Sequence, residues 1–229
     1  GDSLDVPCAV NRLPGSYLCF SPPADEAAVG SLPALTTGAV TFGSFNNLAK
    51  VTDEVVAVWA RILHAVPGSR LYLKSRQLRD EAARAREVSR FAAHGIGAER
   101  LILEGPIQAR GGHLVAYNRV DIGLDPFPYN GVTTTMEALW MGVPVLTLAG
   151  KRFLSRQGLG ILSEAGLSDW VAYDEDELVA KAVTKASALE ELAELRASMR
   201  CRLEQSSLLD AAAFTRKFLD ALLGMWSAS

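Results

Sequence analysis

From Val40 onward, short apolar runs alternate with stretches in which apolar residues recur at helical spacing. Residues 40–45 read as a buried strand. Val55, Trp59, Ile62 and Val66 then fall on one face of a helix. Thr52 stands where an N-cap would, Asp53 and Glu54 follow in the first turn, and Pro67-Gly68 stops the helix. The alternation continues with a strand at 71–73, an Arg/Glu/Ala-rich helix over 77–94 closed by Gly95, and a strand at 101–103. A short helix over 113–119, a strand at 120–124, a helix over 135–141 and a strand at 144–148 follow. Residues 170–173 read as a sixth strand, and everything after Asp174 is helical in pattern. Apolar strands alternating with helices predict an α/β fold, a doubly wound Rossmann-like parallel sheet covered on both faces.

Residues 1–39 follow another grammar. They are rich in Pro, Gly, Ala and acidic residues, which disfavours long elements. They read as an extended lead-in that expects something upstream to pack on, and residues 40–229 as the domain with its C-terminal helices. At the far end Phe214, Phe218, Leu222 and Met225 recur at helical spacing beside Trp226. That stripe fits packing on the chain's own sheet or on a second lobe, and the pattern does not choose.

Composition narrows the function classes. The chain has 229 residues, 23 Lys+Arg against 26 Asp+Glu, and a formal charge of −3. A polyanion binder needs a basic face, so nucleic acid is not an expected partner. Cys8, Cys19 and Cys201 are odd in number and lack C-x-x-C spacing. Neither a zinc site nor a disulfide framework fits them, and a reducing cytoplasmic setting is expected. No signal-peptide pattern opens the sequence. The longest apolar stretch, 138–150, is broken by Gly142 and Pro144, so no membrane span is expected.

Ligands of open parallel sheets bind beyond the carboxyl ends of the strands, which directs attention to two loops. The first, Phe45-Asn46-Asn47-Leu48-Ala49-Lys50, offers two amides and a mobile cation; it reads equally well as a solvated turn. The second runs from Asp125 through Asn130, Gly131, Thr133, Thr134 and Thr135 to Glu137. Thr134 and Glu137 have capping-box spacing. Three threonines at a helix start would aim hydroxyls and N–H groups at one point, a good phosphate site, and Gly131 would let backbone approach closely. His113, at the start of a short helix near the same edge, could stack or hydrogen-bond; His64 and His94 read as structural. G-x-G-x-x-G, P-loop, G-x-S-x-G and H-E-x-x-H motifs are absent from the sequence.

The first loop, together with Pro128-Tyr129-Asn130-Gly131-Val132-Thr133-Thr134-Thr135-Met136-Glu137 and the following Ala138-Leu139-Trp140-Met141-Gly142-Val143-Pro144-Val145, closely resembles the C-terminal part of the O-linked N-acetylglucosamine transferase family. That family includes bacterial members and the plant Spindly type, and the resemblance runs from about Tyr17 to Trp226. It implies the C-terminal, donor-holding lobe of a two-lobe GT-B glycosyltransferase, usually found behind tetratricopeptide repeats. The implied reaction moves a sugar from a nucleotide donor, UDP-GlcNAc, to Ser or Thr of a protein acceptor.

By the same resemblance Lys50 neutralises the diphosphate and is the group nearest to catalysis. Asn47 takes the place of a phosphate-contacting glutamine. Gln108, Arg110 and His113 grip the uracil, Thr133 and Thr134 bind phosphate, and Glu137 replaces an aspartate that bonds the ribose. Asn46, Asn130 and Gly131 complete the expected site. No cofactor or metal is expected, because a lysine and a helix N-terminus take over the cation's work. One departure stands out. Val132 occupies the position of a histidine in the animal enzymes, and Spindly-type relatives use GDP-fucose. A non-catalytic nucleotide-binding module and a nucleotide-sugar epimerase are the alternatives, although no acid/base carboxylate pair for an epimerase is evident in the sequence.

Overall fold

Six parallel strands form one sheet in the computed structural model, which describes residues 13, 15–23, 27–107 and 112–227. They are β1 (Thr41–Ser44), β2 (Arg70–Lys74), β3 (Leu101–Glu104), β4 (Ile122–Leu124), β5 (Val145–Leu148) and β6 (Val171–Ala172). Their spatial order is β3-β2-β1-β4-β5-β6, the order of a Rossmann sheet. The chain reverses its direction of winding between β1 and β4, which pair side by side with Phe42 opposite Ile122. The loops leaving these two strands meet beyond their carboxyl ends, where Lys50 reaches Asn130 and Asn46 reaches Thr134. Both loops singled out from the sequence lie at this switch point.

The helices follow the apolar spacing. After a single helical turn, α1 (Ala34–Thr37), comes α2 (Asp53–Ala65), which buries Val55, Trp59 and Ile62 completely. The Thr52 hydroxyl accepts from the Val55 N–H at 3.4 Å and caps it as expected. The helix expected over 77–94 is divided in the structure. Arg76–Arg79 form a 3-10 turn, and Asp80 then caps α3 (Glu81–Ala92) by accepting from Ala82 N–H at 3.0 Å. Gly95, at φ +75°, closes it in the left-handed region. Next come α4 (Gly112–Val115), continued by a 3-10 turn at Ala116–Arg119, and α5 (Thr133–Trp140), which starts two residues earlier than the pattern predicted. The rest is α6 (Gln157–Glu164), α7 (Glu175–Ser187), α8 (Leu189–Glu204) and α9 (Ala211–Ser227). α2 packs beside α3 and α7, while α5 packs against α6 and α8.

The described part of the lead-in departs from expectation. It packs on this domain: Ala27, Leu32 and Ala34 belong to the core, and Leu18 and Phe20 pack against it. Polar ties help to hold it there. Asp121 accepts from Ala34 N–H at 2.9 Å and from Thr41 N–H at 2.7 Å. Buried Arg196 donates to Gly30 O at 2.8 Å and to Val120 O at 2.7 Å. Phe20 N–H donates to Leu208 O at 2.7 Å. A segment without periodicity can still bury single side chains worth about 1.5–3 kcal/mol each, and such anchoring leaves no pattern in sequence. α9, in contrast, has no buried residue. The stripe therefore does not pack on the sheet.

Candidate functional site at the strand ends

Lys50 is where the two loops meet. Residues Leu48–Lys50 form a 3-10 turn capped by Asn47, whose Oδ1 accepts from Ala49 N–H at 2.9 Å. The turn swings Lys50 toward the second loop, where its Nζ donates to Asn130 O at 2.9 Å and lies 4.0 Å from the centre of the Tyr129 ring. Burial pushes the Lys50 ammonium below its ordinary range, and the Asp125 carboxyl opposes that shift. The cation is thus partly desolvated, held at the mouth, and free to redirect donors toward an incoming anion.

The second loop is a built polar scaffold. Asn46 is 7% exposed, and its Oδ1 accepts from the Thr134 hydroxyl at 3.0 Å, tying the first loop to α5. Asn130 is fully buried, with Nδ2 donating to Pro126 O at 3.0 Å. A Cβ on Gly131 would stand 2.5 Å from Thr134 Oγ1 and 2.9 Å from Asn46 Oδ1, so glycine here serves the closeness of these side chains. Two sequence expectations fail. The capping box does not form: the N-cap position is Val132, without a side-chain cap, and Glu137 points elsewhere. Nor do three threonines face one point. Thr135 is buried with its hydroxyl on Gly131 O at 3.2 Å, which leaves Thr133 exposed and Thr134 half-buried at the mouth. The Thr134 and Thr135 hydroxyls instead donate to an amide oxygen and a loop carbonyl.

Asp125 lies beneath this scaffold and was not singled out from sequence. It is 1% exposed, with Oδ1 accepting from Gly131 N–H at 2.6 Å and Oδ2 from the Thr147 hydroxyl at 2.7 Å. Burial pushes its carboxyl up to about 7, against those two hydrogen bonds and the Lys50 charge. Its place at the carboxyl end of β4 was the available signal.

A second group gathers on the β2 side. His113 lies at the start of α4, with its ring 5.9 Å from Phe45 and 5.8 Å from Tyr117. Its Nε2 is 3.0 Å from Glu137 Oε2 and its Nδ1 is 2.7 Å from Lys74 Nζ. Lys74 and Tyr117 were also missed, although Lys74 ends a strand at the ligand-bearing edge. An open cleft of about 390 Å³ is lined by Phe45, Asn47, Lys74, Gln77, Pro106 and His113. Gln108 and Arg110 lie outside the described residues. The structure thus brings Lys50, Asn46, Asn130, Gly131 and Thr134 together on one side, and His113 and Glu137 on the other. Asn47 borders the cleft and receives a hydrogen bond from Gln77.

The sequence profile of glycosyl transferase family 41 matches residues 30–218 of this chain. The chain belongs to that family. Its relatives include a tomato protein (Solanum lycopersicum) described as a probable UDP-N-acetylglucosamine–peptide N-acetylglucosaminyltransferase SPINDLY. The two are 44% identical over 94% of this chain and 23% of the relative. The Caenorhabditis elegans UDP-N-acetylglucosamine–peptide N-acetylglucosaminyltransferase is 28% identical over 84% of this chain and 16% of the relative. A solved variant of the O-GlcNAc transferase of Thermobaculum terrenum superposes with a TM-score of 0.85. It is 39% identical, and the match covers 94% of this chain and 40% of that one. The chain therefore spans about a quarter of the length of the curated SPINDLY relatives. The fold is that of a GT-B lobe, and the family is one of glycosyltransferases. Among the described residues no helix is long and apolar enough to cross a membrane.

Proposed function

We propose that this domain holds the nucleotide-sugar donor of an inverting protein O-glycosyltransferase, with UDP-GlcNAc as donor and Ser or Thr of a protein as acceptor. The observation that carries the reading is the convergence of Lys50 and the start of α5 at the β1/β4 switch point. In the reaction the acceptor hydroxyl oxygen attacks the anomeric carbon. The bond from that carbon to the diphosphate oxygen breaks, and the electron pair leaves on UDP. The hydroxyl proton passes to a base outside this chain. Lys50 and the α5 N-terminus face the charge that grows on the leaving diphosphate, so they stabilise the transition state more than the ground state. This is a role that a divalent metal serves in other transferases, and the reaction needs none here. The complete enzyme adds an N-terminal lobe and tetratricopeptide repeats and works in the cytoplasm. The 229-residue chain alone binds donor without transferring sugar.

A second donor comes from the family resemblance, which sets Val132 where the animal enzymes have a histidine and in which Spindly-type members use GDP-fucose. A GDP-fucose-using O-fucosyltransferase is that reading. Calorimetry with UDP, GDP, UDP-GlcNAc and GDP-fucose in the presence of EDTA tests both. Tight binding of the uridine pair supports the first and of the guanosine pair the second. Binding that requires added Mg²⁺ or Mn²⁺ contradicts the metal-free account.

A further inference from the structure

Lys74 ends β2 with only 5% of its surface exposed, and its Nζ faces His113 Nδ1 at 2.7 Å. An ammonium has three N–H donors and no lone pair. Nδ1 must therefore accept, the ring proton must sit on Nε2, and Nε2 donates to Glu137 Oε2 at 3.0 Å. A second ring proton would have to point from Nδ1 straight at the ammonium. The Tyr117 hydroxyl also approaches Glu137 through Oε2, at 3.5 Å. Among the described residues, no donor engages Oε1. Burial weakens the charge on Lys74, while Glu104 and Glu137 sustain it.

We propose that Lys74 is a positioning residue: through His113 it keeps the ring neutral with its proton on Nε2, so that the ring holds Glu137 by Oε2 while Oε1, which no donor among the described residues engages, turns to the ribose hydroxyls of the nucleotide. The ribose clause rests on the donor reading above; the Lys74–His113 clause does not. A neutral ring is also the form that stacks on an uncharged base without carrying a hydrated charge into the cleft. Without Lys74 the donor that blocks a proton on Nδ1 is gone, and an imidazolium would bind the carboxylate more firmly than a neutral ring does.

Two measurements on the 229-residue chain test this. In ring-¹⁵N spectra at pH 7.5, assigned by loss of the signal in His113→Gln, wild type and Lys74→Arg show an unprotonated Nδ1 and a protonated Nε2. Lys74→Met gains the doubly protonated ring. In calorimetry the wild type binds UDP about tenfold tighter than 2′-deoxy-UDP, as one hydrogen bond to a charged group gives. Lys74→Met loses most of that preference, and Lys74→Arg keeps it. A protonated Nδ1 in the wild type, or a His113 spectrum unchanged in Lys74→Met, overturns the role of Lys74 whatever binds. Failure of the wild type to bind either nucleotide overturns the donor reading and the ribose clause with it, while the spectra still decide the Lys74–His113 link.

Discussion

Two lysines face the same sheet edge, Lys50 half-buried and Lys74 buried, and their surroundings differ. Lys50 rests on a backbone carbonyl above a scaffold whose members are closed to water: Asn46, Asp125, Asn130 and Thr135 are all buried. Lys74 rests on an imidazole that is 44% exposed, beside an open cleft. The first half is built before any ligand arrives, through hydrogen bonds between two loops. The second depends on side chains from β2, α4 and α5 that meet only at their tips. Phosphate is the same in every nucleotide and suits a fixed receptor, whereas base and ribose must be told apart by adjustable groups. The difference teaches where rigidity and where discrimination should be found.

The largest expected effect breaks the rigid half through its buried charge. The Asp125 carboxyl is pushed up to about 7 in the fold, so the folded state holds this proton more tightly than the unfolded chain does. Its penalty is therefore absent at pH 3–4, grows as pH rises toward 7, and is complete above that. Asp125→Asn keeps an acceptor for Gly131 N–H and a donor for the Thr147 hydroxyl. It should stabilise the protein by a few kcal/mol (on the order of 1.4 kcal/mol for each pKa unit) at pH 8 and by little at pH 4. Urea unfolding of both proteins across that range checks it, and parallel pH profiles would sink the idea.

Next is Gly131→Ala, whose added Cβ would stand 2.5 Å from Thr134 Oγ1. Overpacking of this kind costs about 1–3 kcal/mol. Because it displaces the scaffold alone, UDP and GDP affinity should fall together; a drop confined to one nucleotide would show that the two halves are not separate. Smaller still is Thr134→Val, which leaves the buried Asn46 Oδ1 without its donor. A loss of about 1 kcal/mol in unfolding free energy is expected, and no loss would mean that the link between the loops is not rigid.

Legibility followed the same division. Alternating strands and helices predicted the parallel sheet, because short apolar runs such as 71–73, buried in β2, and 101–103, half-buried in edge strand β3, stand out between helical stretches. Lys50 and the Asn130–Glu137 loop were visible because each sits directly after a strand, in one contiguous motif. Asp125, Lys74 and Tyr117 were not, since what makes them matter is a partner far away in sequence: Thr147 for Asp125, His113 for Lys74, Thr134 for Tyr117. The failed capping box has the same cause. Thr134 has a better partner in Asn46, 88 residues away, and local spacing cannot register such competition. The attachment of the lead-in through Asp121 and Arg196 was hidden for that reason as well.

The central claim is that a nucleoside diphosphate is held by the pre-built half, with Lys50 on its charge. Calorimetric titration of UDP into the 229-residue chain and into its Lys50→Ala variant tests it most directly. Losing one charge-assisted contact of roughly 1.5–3 kcal/mol should weaken binding about tenfold to a hundredfold, with the unfolding midpoint nearly unchanged because the ammonium is only partly buried. Equal affinity of the two proteins for UDP would contradict the account.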